Sequence, residues 1–345
     1  MTGGARSKAM AVGLGALVAW GLAELGAGVV EDRWAADLAY VNRADLAVHQ
    51  VAADPDVGIV LRPGAVAEFP AQCPWCDDPR RVSVNSRGLR GAADERPLRV
   101  VAIGGSFTYG AAVSDDATWP ARLQERLTAR GEWAVWNAGV SSHSTSQKLR
   151  RLALAVAEWE PDLVVLQVHN HGPAAWLPDS APDAGERWRA RPALLDENLD
   201  LPPSEAPGPA FFWRTRLGRT LLFGRERRVR AARGGSLTPR TIGRVDARAR
   251  AAWDAAMPTA VPVVAFRPAT GGGEAWWPQA GVPWLDLVGR SPVTGPEWTD
   301  IHPGRAAYSW VADELYEWLE RRGCWAALER GESGGCVEDY SQNPG

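Results

Sequence analysis

Lysine is nearly missing from this 345-residue chain: Lys8 and Lys148 are the only two, and the remaining basic residues are arginine. Charge of either sign is also not in excess, the formal net charge being −3. The chain as a whole therefore lacks the basic footprint that nucleic acid requires, and no nucleic-acid partner is expected. No internal repeat is found. Cysteine is scarce, at 4 residues. What is abundant is tryptophan, at 18 residues, together with alanine, glycine and arginine. That combination follows GC-rich codons, so the tryptophans are not taken as evidence for sugar binding. A length of 345 residues with 46% apolar composition suits one large domain or two small ones, with a full core.

The first 30 residues read as a signal-anchor or transmembrane segment. Arg6 and Lys8 precede an apolar stretch from Ala9 to Val30, broken only by Glu24. About 20 helical residues cross a bilayer. Positive charges ahead of the stretch favour a cytoplasmic N-terminus and export of the rest. Glu24 sits late in the stretch, near one interface, where its cost is tolerable. The preferred reading is a retained inner-membrane anchor with the rest of the chain exported. The alternative is a signal peptide cut near Gly21-Leu22-Ala23, giving a secreted or periplasmic protein. An even cysteine count agrees with export. Cys73, Cys76, Cys324 and Cys336 allow three connectivities, of which the local pairs are the simplest. Cys73-Pro-Trp-Cys76 also has redox or zinc spacing. However, Pro70, Pro74 and Pro79 imply a loop rather than the helix start of a thioredoxin-like site, and zinc would need all four cysteines to converge.

Residues 31–97 read as a stalk and a loop-rich lead-in. Trp34, Leu38, Val41 and Leu46 suggest a helix over 31–52. From residue 98 the pattern becomes regular. Strands are expected at Leu98–Ile103, Trp133–Trp136, Leu163–Val168 and Val261–Phe266, with a fifth at Val282–Leu287. Between them, Thr118 can cap a helix that Gly131 ends, Gln147–Trp159 forms another, and Tyr308, Val311, Leu315 and Leu319 mark a closing helix. Alternating strands and helices predict a three-layer α/β/α sandwich around a parallel sheet, over residues 98–322. Residues 173–245 break the order and read as an insertion with one or two helices, either a lid or a surface excursion. Residues 323–345 read as a C-terminal tail.

In such a sheet, ligands bind beyond the carboxyl ends of the strands. The first strand runs into Gly104-Gly105-Ser106-Phe107-Thr108-Tyr109-Gly110, whose glycines permit a sharp turn that exposes the serine hydroxyl. The second leads to Asn137-Ala138-Gly139-Val140, where a glycine can aim its N–H into the site. The third ends at His169-Asn170-His171. Near the C-terminus, Asp300-Ile301-His302-Pro303 precedes the last helix. Acyl transfer needs these groups: Ser106 as nucleophile, His302 as general base, a carboxylate to hold the imidazole, and preorganised donors for an oxyanion. The donors would be the Ser106 and Gly139 N–H groups and the Asn170 amide. His169 and His171 lie two apart, but no acidic cluster completes a metal shell around them, so no metal site is expected.

These blocks resemble the SGNH hydrolases, also called GDSL esterases or lipases, whose Ser, Gly, Asn and His occur in that chain order. The match is Ser106 in GGSFTYG, Gly139 in NAGV, Asn170 in VHNHG and His302 in DIHPG. Residues 54–63 and Val84-Asn85-Ser86-Arg87-Gly88-Leu89-Arg90-Gly91 resemble a segment that precedes the catalytic domain in some membrane-anchored bacterial members. The resemblance implies an SGNH (flavodoxin-like) sandwich and a serine esterase that needs no cofactor. Four positions depart from the family: Gly105 stands for its Asp, Val168 and His171 replace residues of the third block, and Thr299 occupies the usual place of the triad acid. Asp300 is then the expected acid, with Glu297 as a fallback. The implied substrates are O-acyl esters, possibly of envelope carbohydrates. A lipid esterase or thioesterase, or a non-catalytic binding protein on the same scaffold, are the alternatives.

Overall fold

The computed structural model describes residues 3–38, 47–54, 57–71, 73–92, 94–168, 199–202, 204–234, 238–256, 261–268, 282–293, 302–332 and 336. The N-terminal stretch is one helix, α1 (Gly3–Leu38), and its segment Met10–Glu31, with a mean hydropathy of 1.6, is long and apolar enough to cross a membrane. The expected helix over 31–52 is only partly correct. α1 is described as far as Leu38, Val41 and Leu46 lie outside the described residues, and His49–Val51 is a strand, β1. The physical reason is a change of period: His49 and Val51 are buried and Gln50 less so, which is the alternation of a strand.

The lead-in contains two small antiparallel ladders, β1 with β2 (Ile59–Leu61) and β3 (Val66–Phe69) with β4 (Arg80–Ser83). Then come β5 (Leu98–Ile103), the single-turn α2 (Ser106–Tyr109), α3 (Trp119–Thr128), β6 (Trp133–Asn137), α4 (Thr145–Trp159) and β7 (Leu163–Gln167). They are followed by α5 (Arg216–Ala232), α6 (Pro239–Ala256), β8 (Val263–Arg267), β9 (Trp284–Asp286), α7 (Arg305–Arg321) and α8 (Cys324–Glu329). The five strands expected from the alternating pattern form one parallel sheet in the order β6-β5-β7-β8-β9. The chain winds outward from β5 to β6, then crosses back to β7 and continues away. The order therefore reverses between β5 and β7, and the carboxyl ends of those two strands are where such folds bind ligands.

Strand alternation sorts the core into two layers. Val100 and Ala102 face a cluster with Trp119, Leu123 and Leu127 of α3 and Tyr308, Val311 and Leu315 of α7. Val101 and Ile103 face the opposite cluster, with Leu149 and Leu152 of α4 and Ala249 and Trp253 of α6. α6, which starts inside the expected insertion, is thus a crossover helix of the sandwich. α8 lies inside the segment read as a tail, yet its Cys324, Trp325 and Leu328 are buried in the first layer.

The caps are local and legible. Thr118 accepts a hydrogen bond from the Ala121 N–H, as expected of an N-cap. α4 starts two residues earlier than expected because Ser144 and Gln147 form a capping box. The disulfides are the local pairs, Cys73–Cys76 and Cys324–Cys336.

Candidate active site

Ser106 opens α2 directly beyond β5, at the reversal point of the sheet. Two features force the turn. Gly104 has no room for a side chain, since an added Cβ would meet Thr108 Cβ at 2.5 Å and Gln167 Oε1 at 2.6 Å. Gly110 closes the turn at φ +85°, a conformation that favours glycine. Gln167, at the end of β7, pins the turn from the neighbouring strand: its Oε1 accepts from the Gly105 N–H at 2.9 Å and from the Thr108 hydroxyl at 3.1 Å. Ser106 itself is half-buried, and among the described residues no hydrogen bond engages its hydroxyl or its N–H.

The lead-in supplies a second brace. Arg90 is buried, and its guanidinium donates to the carbonyls of Tyr109, Gly110 (2.7 Å) and Val113 (2.6 Å) and to Asp115 Oδ1 (2.9 Å). Four acceptors arrayed around one planar fork suit arginine and not lysine. Arg90→Lys should therefore cost about 2–4 kcal/mol of stability through stranded carbonyls. The measurement is urea unfolding of both proteins, and a variant within about 0.5 kcal/mol of wild type would contradict it.

The end of β6 docks on the same turn. Asn137 Nδ2 donates to the Thr108 carbonyl at 3.0 Å, and the Val140 N–H donates to the Gly104 carbonyl at 3.1 Å. Gly139 packs against the backbone of Thr108 and Tyr109, where an added Cβ would lie 2.7 Å from the Thr108 carbonyl carbon. Its N–H, expected to be an oxyanion donor, already donates to Asn137 Oδ1 at 3.0 Å. As an oxyanion donor Gly139 would have to share that hydrogen. Its missing side chain has a structural cause as well, the close approach of two backbones.

His302 is half-buried, and its carbonyl accepts from the Trp75 indole at 3.2 Å. Trp75 lies inside the Cys73–Cys76 disulfide loop. Asp77, the residue after that loop, ties two segments together. The Asp77 N–H donates to the Ala112 carbonyl at 3.0 Å, and its carboxylate accepts from the Ser114 N–H at 2.6 Å and from Arg305 Nε at 2.6 Å. Arg305 also reaches Asp116 at 2.9 Å. The disulfide loop thus joins the segment after the Ser106 turn to the segment that carries His302. Burial alone would raise the Asp77 carboxyl, but the hydrogen bonds from Arg305 and Ser114 outweigh it and hold the group below its usual range. Asp300 and Asn170 lie outside the described residues, as do Glu297, Thr299, His169 and His171.

Lys148 of α4 is buried behind the turn. Its Cε would stand 3.3 Å, and its Nζ 3.6 Å, from a Cβ placed on Gly105. Burial pulls its ammonium down to about 7, from 10.5. His143 lies in the same layer, its Nε2 2.8 Å from the Ile59 carbonyl. Burial, reinforced by the nearby Arg151, His49 and Lys148, pulls it down to about 3. The sign of the Lys148 effect follows from linkage. Between pH 7 and 10.5 the unfolded chain holds a proton that the folded lysine lacks, so this group makes stability rise with pH across that window. Below pH 7 both states are protonated and the full penalty stands, about 3–5 kcal/mol. Lys148→Met should therefore be more stable than wild type at pH 6, with a difference that shrinks towards zero above pH 10.5. Urea midpoints at both pH values test it, and a variant less stable than wild type at pH 6 would mean that the ammonium is compensated in the folded state.

Residues 102–168 match the model of the GDSL-like lipase/acylhydrolase family. No curated protein matches the chain by sequence. Among solved structures, the chain is similar to the psychrotrophic esterase EstA from Pseudoalteromonas, at 13% identity over 65% of this chain and 97% of that one, with a TM-score of 0.32. It is also similar to an acetyl xylan esterase, AlAXEase, at 14% identity over 64% of this chain and 100% of that one, with a TM-score of 0.38. A third is a catalytic mutant of the acetylxylan esterase Axe2 from Geobacillus stearothermophilus, at 10% identity, 64% and 94% coverage and a TM-score of 0.33.

Proposed function

We propose, on the premise that residues 102–168 belong to the GDSL-like lipase/acylhydrolase family, that this chain is a serine ester hydrolase acting through an acyl-enzyme on Ser106. The observation that carries the reading is the Ser106 hydroxyl, unengaged among the described residues, on a braced turn at the reversal point of the sheet. His302 takes the hydroxyl proton as Ser106 Oγ attacks the ester carbonyl. The tetrahedral oxyanion is met by the Ser106 N–H and the Asn170 amide, with the Gly139 N–H as a shared third donor. The protonated imidazole then gives its proton to the leaving alcohol. Water, deprotonated by His302, attacks the acyl-serine; the acyl–Oγ bond then breaks, the carboxylic acid leaves, and the imidazolium returns its proton to Ser106 Oγ. Asp300 holds the imidazole.

The catalytic domain is exported and held to the inner membrane by α1. The two disulfides and the apolar helix support this. From that location, the substrates are O-acyl esters on envelope carbohydrates. A fluorophosphonate probe tests the reading before a substrate is in hand. Wild-type protein should be labelled and Ser106→Ala should not. Equal labelling of both would remove Ser106 as nucleophile, and no labelling of either would favour a binding protein on a hydrolase scaffold.

A further inference from the structure

α5 runs alongside α1 in the same direction, and the two are matched level by level. Glu24, the one charge in the apolar run, accepts hydrogen bonds from the Arg216 N–H at 2.9 Å and the Leu217 N–H at 3.2 Å, and so caps the start of α5. One turn on, the Thr220 hydroxyl donates to the Ala27 carbonyl at 3.1 Å. Beyond it, Glu31 and Arg219 form a buried ion pair, and Trp34 packs on Gly224 with the Arg227 guanidinium 5.6 Å from its ring centroid. In the other direction, Phe212 meets Trp20, with ring centroids 6.0 Å apart. The side chains of Met10, Val12, Leu14, Leu17 and Val18 below Trp20 are exposed, and so are those of Leu22, Leu25, Val29 and Val30 above it.

This matching fixes the height of α5 along α1. Counted from Arg6, a helix reaches Glu24 after about 27 Å, close to the roughly 30 Å of a hydrocarbon core, so that the exposed Leu25, Val29 and Val30 lie in the interfacial layer above it. Glu24 and the α5 N-terminus then fall at the interface on the domain side. Trp20 and Phe212 fall about 6 Å deeper, in the zone where aromatic side chains concentrate. The loop that reaches down to that level is Pro207-Gly208-Pro209-Ala210-Phe211-Phe212-Trp213. Its residues 207–211 are exposed, Phe211 at 70%. An exposed phenylalanine beside an exposed apolar helix, with no charged residue in the loop, suits a lipid surface rather than water.

We propose that residues 207–213 are a second membrane contact, immersed in the interfacial layer of the leaflet facing the domain, with α5 as the strut that sets the height of the sandwich above it. The proposal rests on the anchor reading of α1. It makes the segment between β7 and β8 part of the membrane attachment, and it gives Glu24 a partner at the depth where a carboxylate can be kept.

Site-directed spin labelling of the full chain in phosphatidylcholine/phosphatidylglycerol vesicles separates the two ideas. All four native cysteines are in disulfides, so an added cysteine is the only thiol to react. Phe211→Cys is the test position, and Ala210→Cys, an exposed small residue, serves if the first variant misfolds. Val18→Cys reports the span and Arg228→Cys reports the aqueous side of α5. The labels at 211 and 18 should both collide with oxygen in preference to a nickel chelate, with a ratio several-fold above that at 228. A label at 18 in lipid with 211 as aqueous as 228 would overturn the proposal and leave the anchor intact. A label at 211 shielded from both reagents would overturn it in favour of a protein partner or a second copy. Aqueous readings at both 18 and 211 would remove the anchor reading, and the proposal with it.

Discussion

Replacing Ser106 by alanine should lower kcat/KM for a short-chain aryl ester by about 10⁶ while leaving the fold intact. The expected size comes from what remains. Without a nucleophile the site keeps only its oxyanion donors and its binding energy, and such remnants retain about 10³-fold over water. The fold should hardly respond, because the hydroxyl has no hydrogen-bond partner among the described residues and its loss strands none. A Tm change of more than a few degrees would therefore point to a structural role. His302→Ala should cost about as much, and the double variant should be little worse than either, since the two groups act as one unit. Additive losses in the double variant would mean that serine and histidine work in separate steps. A Ser106→Ala enzyme that keeps a tenth or more of wild-type activity would end the assignment.

The parts of the molecule that could be read beforehand are those whose cause is local. Leu98–Ile103 is an apolar run between arginine-rich and glycine-rich flanks, and the strand has those bounds. Thr118 before an amphipathic run fixes the start of α3. The disulfides join cysteines close in sequence. What escaped is long-range. Nothing near Arg90 says that its guanidinium reaches carbonyls at 109, 110 and 113, although the motif around it was visible. Gln167 braces the nucleophile turn from a strand 62 residues from Gly105, and Trp75 holds a carbonyl 227 residues away. An amphipathic helix declares that it has a buried face but not what covers it. α5 and α1 illustrate this: in sequence Glu24 is only a tolerable charge near an interface, whereas in the fold it accepts from the N–H groups of Arg216 and Leu217. Gly105 belongs to the same class. The resemblance marks it as a lost aspartate, and the structure places the Lys148 side chain against the space such a residue would enter.

The acid partner of His302 has the second largest expected effect. Asp300 is the nearest carboxylate in sequence, and Thr299 occupies the position that usually supplies it. Pro303 biases His302 towards extended backbone, and in extended backbone residues two apart face the same side. On that sequence argument Asp300, two residues before His302, is the acid we propose. Glu297 is five residues back and would need a tight turn through Trp298 to arrive. Asp300→Asn should consequently lower kcat by up to about 10⁴, with KM little changed and the melting curve unaltered, while Glu297→Gln should stay near wild type. Both variants are to be measured across pH on the aryl ester. With the carboxylate gone the imidazolium is less favoured, so the pH at which activity rises should fall in Asp300→Asn relative to wild type. The reverse pattern, a large loss at 297 and none at 300, would reassign the acid. Near-normal activity in both would leave Ser106 and His302 to work as a dyad.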